Sequence, residues 1–537
     1  MPPVNPRTRR TPLVAASLGA ALLILLGVTT VAPRPTVAGA IGLVVVGICL
    51  AALYRATYAG FFAPVAVTFW AFVAVWVGFA PLLQIRDNVL PWRDTPLYQH
   101  YVTAQVILLL AVLAFWAGYH RRTARPARPD VDAPRDPDPA PAPPTGPAWR
   151  RALAARLHVT VEKAVALTGV ATVLAAICLP ITGGLAVRFA TRDVLKQAIN
   201  DAGLVKGDDQ ALVGLLGILP ASVAMVALVL CLLCWRDRRW ADRRAKWILA
   251  GATAVAVTLN VIYNNPLSAN RFAAFSVVLA AGFALIRFDT LRWRAAFSSA
   301  MLLGLAVLYP LANLFRNERS RANLRLGLDA YYTNDFDGFQ QTVNSVFYVD
   351  VYGHTWGHHL ISALLFWVPR SIWEGKAIGA GNVVAASRGY DFQNLSLPFW
   401  AEVFLEFSLV GVVVLFFFYG RMARFLDYSL RDTRAGLIPL LTILFAACQI
   451  GLLRGPLGAQ IPFAGAAFGV AVISVVAWRG HAWRLTAAGP AAALEPRTTA
   501  APTPPSTTPP TTPVPADPDD TAAAPTATAT TTQARTP

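Results

Sequence analysis

Charge is what this chain has least of. Only 14% of its 537 residues are Asp, Glu, Lys or Arg, against about 25% in an ordinary soluble domain. With 55% hydrophobic residues and a mean hydropathy of +0.49, that shortage excludes a soluble globular protein of this length. The apolar runs lack period-two alternation, which excludes an outer-membrane barrel. Cysteine is also scarce. Cys49, Cys178, Cys231, Cys234 and Cys448 all lie in or at the ends of apolar runs, so no disulfide framework is implied. Cys231 and Cys234 have CxxC spacing, but no second pair or nearby histidine completes a metal set. The internal repeat that marks many transporters is missing as well.

What is present is a series of runs of about twenty apolar residues, each long enough to cross a hydrocarbon core of about 30 Å as a helix. Twelve are expected: 13 to 32, 36 to 54, 61 to 83, 101 to 119, 159 to 179, 211 to 234, 247 to 263, 272 to 286, 296 to 314, 398 to 419, 436 to 453 and 457 to 478. The fold expected is therefore an all-α, polytopic membrane bundle. Ala38 and Ala40 resemble a signal-peptide cleavage site, but a cut there falls inside the second run, so the first run is read as an uncleaved helix. With residues 1–12 inside, alternation places RRTARPAR, WRDRRWADRRAK, RFDTLRWR, RMARFLDYSLRDTR and WRGHAWR all on the cytoplasmic side, as the positive-inside rule requires. The net charge of +17 is then orientation charge and not a nucleic-acid patch. Both termini are expected in the cytoplasm and the chain in the cytoplasmic membrane. The Pro/Arg-rich linker 123–158 and the Pro/Thr/Ala-rich tail 479–537 bury too little apolar surface to order, and disorder is expected there.

The ninth and tenth spans are separated by a long, mostly helical outer loop, 315–397, which carries arginine on the side where arginine is scarce. Arg316 and Arg319 share a helical face close to the membrane, ahead of Asp329, Asp335, Asp337 and Asp350. Seven basic and seven acidic residues in this loop leave internal salt bridges as the alternative to anion binding. Earlier outer segments add Arg188, Arg192 and Lys196, one face of a helix over 185–199, and Arg271 in the turn NNPLSANRF. The first stripe fits an anionic headgroup or a solvated interfacial helix. Arg271 is either a phosphate ligand or an arginine snorkelling to the interface. Asp335 and Asp337 form a DxD, a metal-binding pair in soluble sugar-nucleotide transferases. Asp350, His354 and His358 stand at i, i+4 and i+8, a metal spacing that Gly353 and Gly357 weaken. No metal site is assigned; a histidine that accepts a proton is preferred. Glu402 and Glu406 lie one turn apart just inside the tenth span, where a carboxylate is a functional hypothesis by default. Glu402 is the leading carboxylate for general base work, with His354 beside it.

The bundle, the late outer loop, the phrase FWVPRSIWEGK with Arg370, Trp373 and Lys376, and the following LPFWAEVFLEFSLVG resemble the Wzy-type oligosaccharide repeat-unit polymerases, within the O-antigen polymerase and ligase group. Arg370 to Gly381 matches an arginine-to-glycine spacing described for that group. The resemblance implies a membrane glycosyltransferase that extends a glycan on a polyprenyl-diphosphate carrier at the outer face. The lipid diphosphate is the leaving group, so neither a nucleotide nor another cofactor is required. Flippase and chain-length regulator proteins are the partners implied. Arg271, Arg316, Arg319, Arg370, Arg388, Lys376 and Arg192 are expected at the diphosphate or substrate, with Glu402 or His354 as base. A ligase passing the glycan to another acceptor, and a flippase, are the alternatives.

Overall fold

The computed structural model describes residues 36–92, 95–121, 157–190, 192–201, 210–237, 243–268, 271–286, 288–311, 327–392, 395–432 and 436–476. Within these the chain is helical, and the only ladder contact is an isolated bridge between His158 and Gly436. In chain order the helices are α1 (Val37–Tyr58), α2 (Pro64–Asp87), α3 (Tyr101–His120), α4 (Val161–Ile181), α5 (Gly184–Arg188), α6 (Arg192–Asp201), α7 (Gln210–Asp237) and α8 (Arg243–Tyr263). There follow α9 (Arg271–Leu285), α10 (Leu291–Leu308), α11 (Gly338–Tyr352), α12 (His358–Leu364), α13 (Ala380–Ser387), α14 (Phe399–Asp432), α15 (Leu437–Arg454) and α16 (Leu457–Val476).

Ten of the described helices are long and apolar enough to cross a membrane, and α9, with 15 residues, is a shorter apolar helix beside them. The chain is thus a multi-pass helical membrane protein. Of the twelve expected spans, the first lies outside the described residues, as do the linker 123–156 and the tail from 477 onward. Within 315–397 the described residues form two 3-10 stretches, Gly327–Tyr332 and Asn334–Phe336, then the short helices α11, α12 and α13.

The core is α2, buried along almost its whole length, with α3 and α14 packed closely on each other beside it. That approach is set by two glycines. A Cβ on Gly118 would stand 2.0 Å from the Phe417 carbonyl oxygen, and one on Gly420 would stand 2.2 Å from that of Phe115. Small residues let helix backbones touch in lipid, where no hydrophobic force draws helices together. Asp427 ends the same seam. Its carboxylate accepts the Val65 and Ala66 amides at 2.9 and 3.0 Å and the Tyr119 hydroxyl at 2.9 Å, capping α2 from another helix.

Two of the membrane helices that the loop bonds to are locally widened. A π-helical stretch runs over Ala74–Phe79 in α2 and another over Gly304–Leu308 in α10. Such widenings free carbonyls and re-aim side chains, often at functional positions. α14 breaks outright at Phe407 (φ −136°) and Ser408 (φ 63°, ψ −166°).

Candidate functional site

The π-helical stretches, the 3-10 segments of the loop and the ends of α9 and α15 meet at Asp335. Trp76, within the α2 widening, donates its indole N–H to the Asp335 carbonyl at 3.0 Å. Tyr331 donates its hydroxyl to the Ala306 carbonyl, within the α10 widening, at 2.9 Å. Gln84 donates to the carbonyls of Tyr331 and Phe336 at 2.8 and 2.9 Å. These bonds fasten the loop onto the bundle and fix the Asp335 side chain, which is buried.

Two guanidinium groups converge on that carboxylate. Arg271, the first residue of α9, donates to Asp335 Oδ1 at 2.8 Å and lies over the Tyr309 ring at 5.1 Å. Arg454, the last residue of α15, reaches the same oxygen at 3.7 Å, donates to the Asp335 carbonyl at 3.3 Å and lies over the Phe272 ring at 5.2 Å. Asp335 is 3% exposed, whereas Arg271 and Arg454 are 16% and 15% exposed. The carboxylate is the floor and the guanidinium groups are the rim. Planar forks held by a carboxylate below and aromatic rings beside them suit an oxyanion such as phosphate.

Glu402 is one step from this cluster. Its buried carboxylate accepts the Leu457 amide at 2.9 Å, capping α16 three residues after Arg454. One turn along α14, the Leu405 carbonyl receives the His354 Nδ1–H at 3.3 Å and the Thr355 amide at 3.2 Å. A carbonyl only accepts, so the proton of neutral His354 is on Nδ1 and Nε2 carries the lone pair. Glu406 accepts the amides of Gly357 and His359 and, at 3.0 Å, the His359 Nδ1–H. The turn 355–359 thereby fills the break in α14.

The remaining expected residues take other positions. Arg370 donates to the carbonyls of Lys376 and Ala377. Lys376 donates to those of Leu365, Phe366 and Val368 at 3.0, 3.1 and 2.8 Å. Burial, and secondarily Arg370, pulls the Lys376 ammonium below the usual lysine range. Arg388 donates to the Thr95 carbonyl at 3.0 Å and lies over the Phe347 ring. Gly381 earns its place sterically, since a Cβ there would stand 2.4 Å from the Leu395 carbonyl oxygen. Arg316 and Arg319 lie outside the described residues.

Two expected helical faces are corrected. Arg188 ends α5 and Arg192 begins α6, so one continuous stripe through Lys196 does not form. The turn at 189–190, where the Phe189 and Ala190 amides bond back to Ala186 and Val187, divides what periodicity joined. Arg188 turns inward, donating to Thr182 at 2.8 Å and stacking on Tyr263 at 4.5 Å. Likewise α11 stops at Tyr352, because Gly353 adopts φ 82°, so Asp350, His354 and His358 share no helix. Asp350 meets His100, and His358 meets the Gly375 carbonyl. The DxD divides too: among the described residues Asp337 shares no ion pair with Arg271 or Arg454 and instead accepts Trp92 Nε1, Ser396 Oγ and Gln341 Nε2. Burial raises its carboxyl, against the pull of Arg454 and these bonds. Among the described residues, no three His, Cys, Asp or Glu side chains gather to hold a metal.

Arg454 and Trp76 are the functional candidates that sequence reasoning missed. Arg454 was legible: it interrupts LLRGPLG between two apolar runs on the expected outer side, the same signal that singled out Arg271. Trp76 was not, because a tryptophan inside an apolar run carries no mark of the widening that turns it toward the loop. Comparison of the chain with family models, with curated proteins and with solved structures found no match in any of the three.

Proposed function

We propose that this protein is a membrane glycosyltransferase that polymerises polyprenyl-diphosphate-linked oligosaccharide repeat units at the outer face of the cytoplasmic membrane. The observation that carries the reading is the convergence of Arg271 and Arg454 on the buried Asp335, at the end of the helices where the long loop docks. In this reading the two guanidinium groups hold the diphosphate and stabilise the charge that develops on it as the glycosidic bond breaks. The His354 Nε2 lone pair accepts the proton of the attacking sugar hydroxyl. Glu402, committed to the Leu457 amide, positions Arg454 instead of acting as the base. The proposal includes twelve spans, cytoplasmic termini, and a flippase and a chain-length regulator as partners.

The test is an assay of the purified protein in detergent with a polyprenyl-diphosphate-linked repeat unit. The parent should give a ladder of longer lipid-linked glycans. Arg271→Ala and Arg454→Ala, with unchanged elution and helicity, should each lose about 10²-fold or more of that activity, the usual effect of removing a transition-state charge donor. A parent that yields no ladder but glycosylates an added acceptor is a ligase. Variants that keep the full ladder would remove the Asp335 cluster from the chemistry.

A further inference from the structure

The loop segment that follows α11 is built inside out for water. On α12, Ile361 and Leu364 share a face and are 50% and 51% exposed, and Trp367 just beyond is 65% exposed. The opposite face turns His359 and Ser362 inward, where both are buried and hydrogen-bonded. Ala363 is buried with them and His358, at the first position of α12, is exposed, but the large apolar side chains Ile361 and Leu364 stand outside while the polar pair is bonded inside, as suits a helix whose solvent is lipid.

Its depth agrees. α16 spans 20 residues, about 30 Å at 1.5 Å per residue, which is the thickness of the hydrocarbon core. Phe366 packs on Gly465, where a Cβ would stand 3.0 Å from its ring. Gly465 lies about 12 Å along α16 from Leu457, so a residue of the loop sits well below the level at which that helix starts. The turn 355–359 reaches a similar depth along α14, about 10 Å past Phe399, where it bonds to Leu405 and Glu406.

Irregular backbone at such depth must satisfy its own polar groups. Here it does: the Lys376 ammonium collects three carbonyls at the end of α12, and Arg370 collects two more. α12 packs on α16, which is itself long and apolar enough to cross a membrane and carries Ile473 65% exposed.

We infer that residues 354–378 form a re-entrant element, with the Ile361, Leu364 and Trp367 face embedded in the acyl chains of the leaflet nearest the loop and Glu374 at the headgroups. The occupant of this face is lipid. The inference stands whether or not the chain is a glycosyltransferase.

The test uses the full chain in lipid nanodiscs, with single cysteines carrying a nitroxide label at Ile361, Leu364, Glu374 and Ile473. The native cysteines are buried, and each labelled position is exposed, so folding is retained. Paramagnetic accessibility is read against dissolved oxygen, which concentrates in lipid, and a water-soluble nickel chelate. Labels at Ile361 and Leu364 should match Ile473 in their oxygen-to-nickel ratio and exceed Glu374. Ratios at Ile361 and Leu364 equal to that at Glu374 would place the segment in water and overturn the inference.

Discussion

Glu406 offers the sharpest perturbation. Its carboxylate is 1% exposed and receives only donors: the Gly357 amide, the His359 amide at 3.1 Å and the His359 Nδ1–H at 3.0 Å. Directly after it α14 breaks, and the Leu405 and Glu406 carbonyls accept the Thr355 and Trp356 amides at 3.2 and 3.1 Å. The turn 355–359 and the break in α14 therefore hold each other in place. Glu406→Ala leaves two buried amides without an acceptor and the His359 Nδ1–H with only the Thr355 hydroxyl at 3.3 Å, a loss of about 3–5 kcal/mol by the standard of broken buried pairs. Glu406→Gln keeps the shape but replaces one acceptor oxygen with an NH2 group facing donors, which costs about 1–3 kcal/mol for the group left unpaired. Thermal unfolding in detergent should fall for both variants. Limited trypsin cleavage should also appear at the exposed Arg370 before the bundle unfolds, because the turn releases first. A Glu406→Gln protein with unchanged melting and unchanged cleavage at Arg370 would refute the reasoning, since it would mean that an acceptor-only carboxylate is not what holds the turn.

Two further predictions use the same measurement. Lys376→Met strands the carbonyls of Leu365, Phe366 and Val368 and should lower stability by about 1–3 kcal/mol, with cleavage at Arg370 again preceding global unfolding. Gly118→Ala and Gly420→Ala force α3 and α14 apart and should each cost about 1–3 kcal/mol or more. Gly169→Ala, with open space around its Cβ, should leave melting unchanged or raise it slightly.

The helices were legible because crossing a bilayer demands about twenty apolar residues, and nothing else in a sequence looks like that. The expected spans 36 to 54 and 457 to 478 differ from α1 and α16 by only a few residues at their ends. What periodicity missed was interruption. The stripe through Arg188 and Arg192 is cut by the turn at 189–190, which no residue there announces, and the ladder through Asp350 and His354 assumed that a helix runs through Gly353, whose positive φ ends it. The break at Phe407 and Ser408 has no sequence mark at all, because Ser408 adopts its left-handed φ only while Glu406 and the turn 355–359 hold the chain there. The π-helical stretches are equally silent, being selected by tertiary bonds to Asp335 and Tyr331.

The arginines in and beside the 315–397 loop divide by what neutralises them, and that division bears on function more than their number does. Arg370, Lys376 and Arg388 donate to backbone carbonyls, at loop turns or at the carbonyl-rich end of a helix, where a cation is favoured by the helix dipole as well. Those bonds close the fold. Arg271 stands at the opposite kind of end. It begins α9, where unpaired amides already make the potential positive, so its charge is disfavoured there unless an anion compensates it. Asp335 supplies that anion, and Arg454 brings a second guanidinium to the same carboxylate. Asp335 thus serves two partly exposed guanidinium groups, Arg271 at the start of α9 and Arg454 at the end of α15, and a phosphate oxygen is a ligand whose charge and geometry suit such planar forks. The same contrast predicts different responses to salt in the glycan assay. Activity that depends on Arg271 and Arg454 should fall as ionic strength rises, whereas the folding contributed by the part-buried Lys376 among its carbonyls should hardly change.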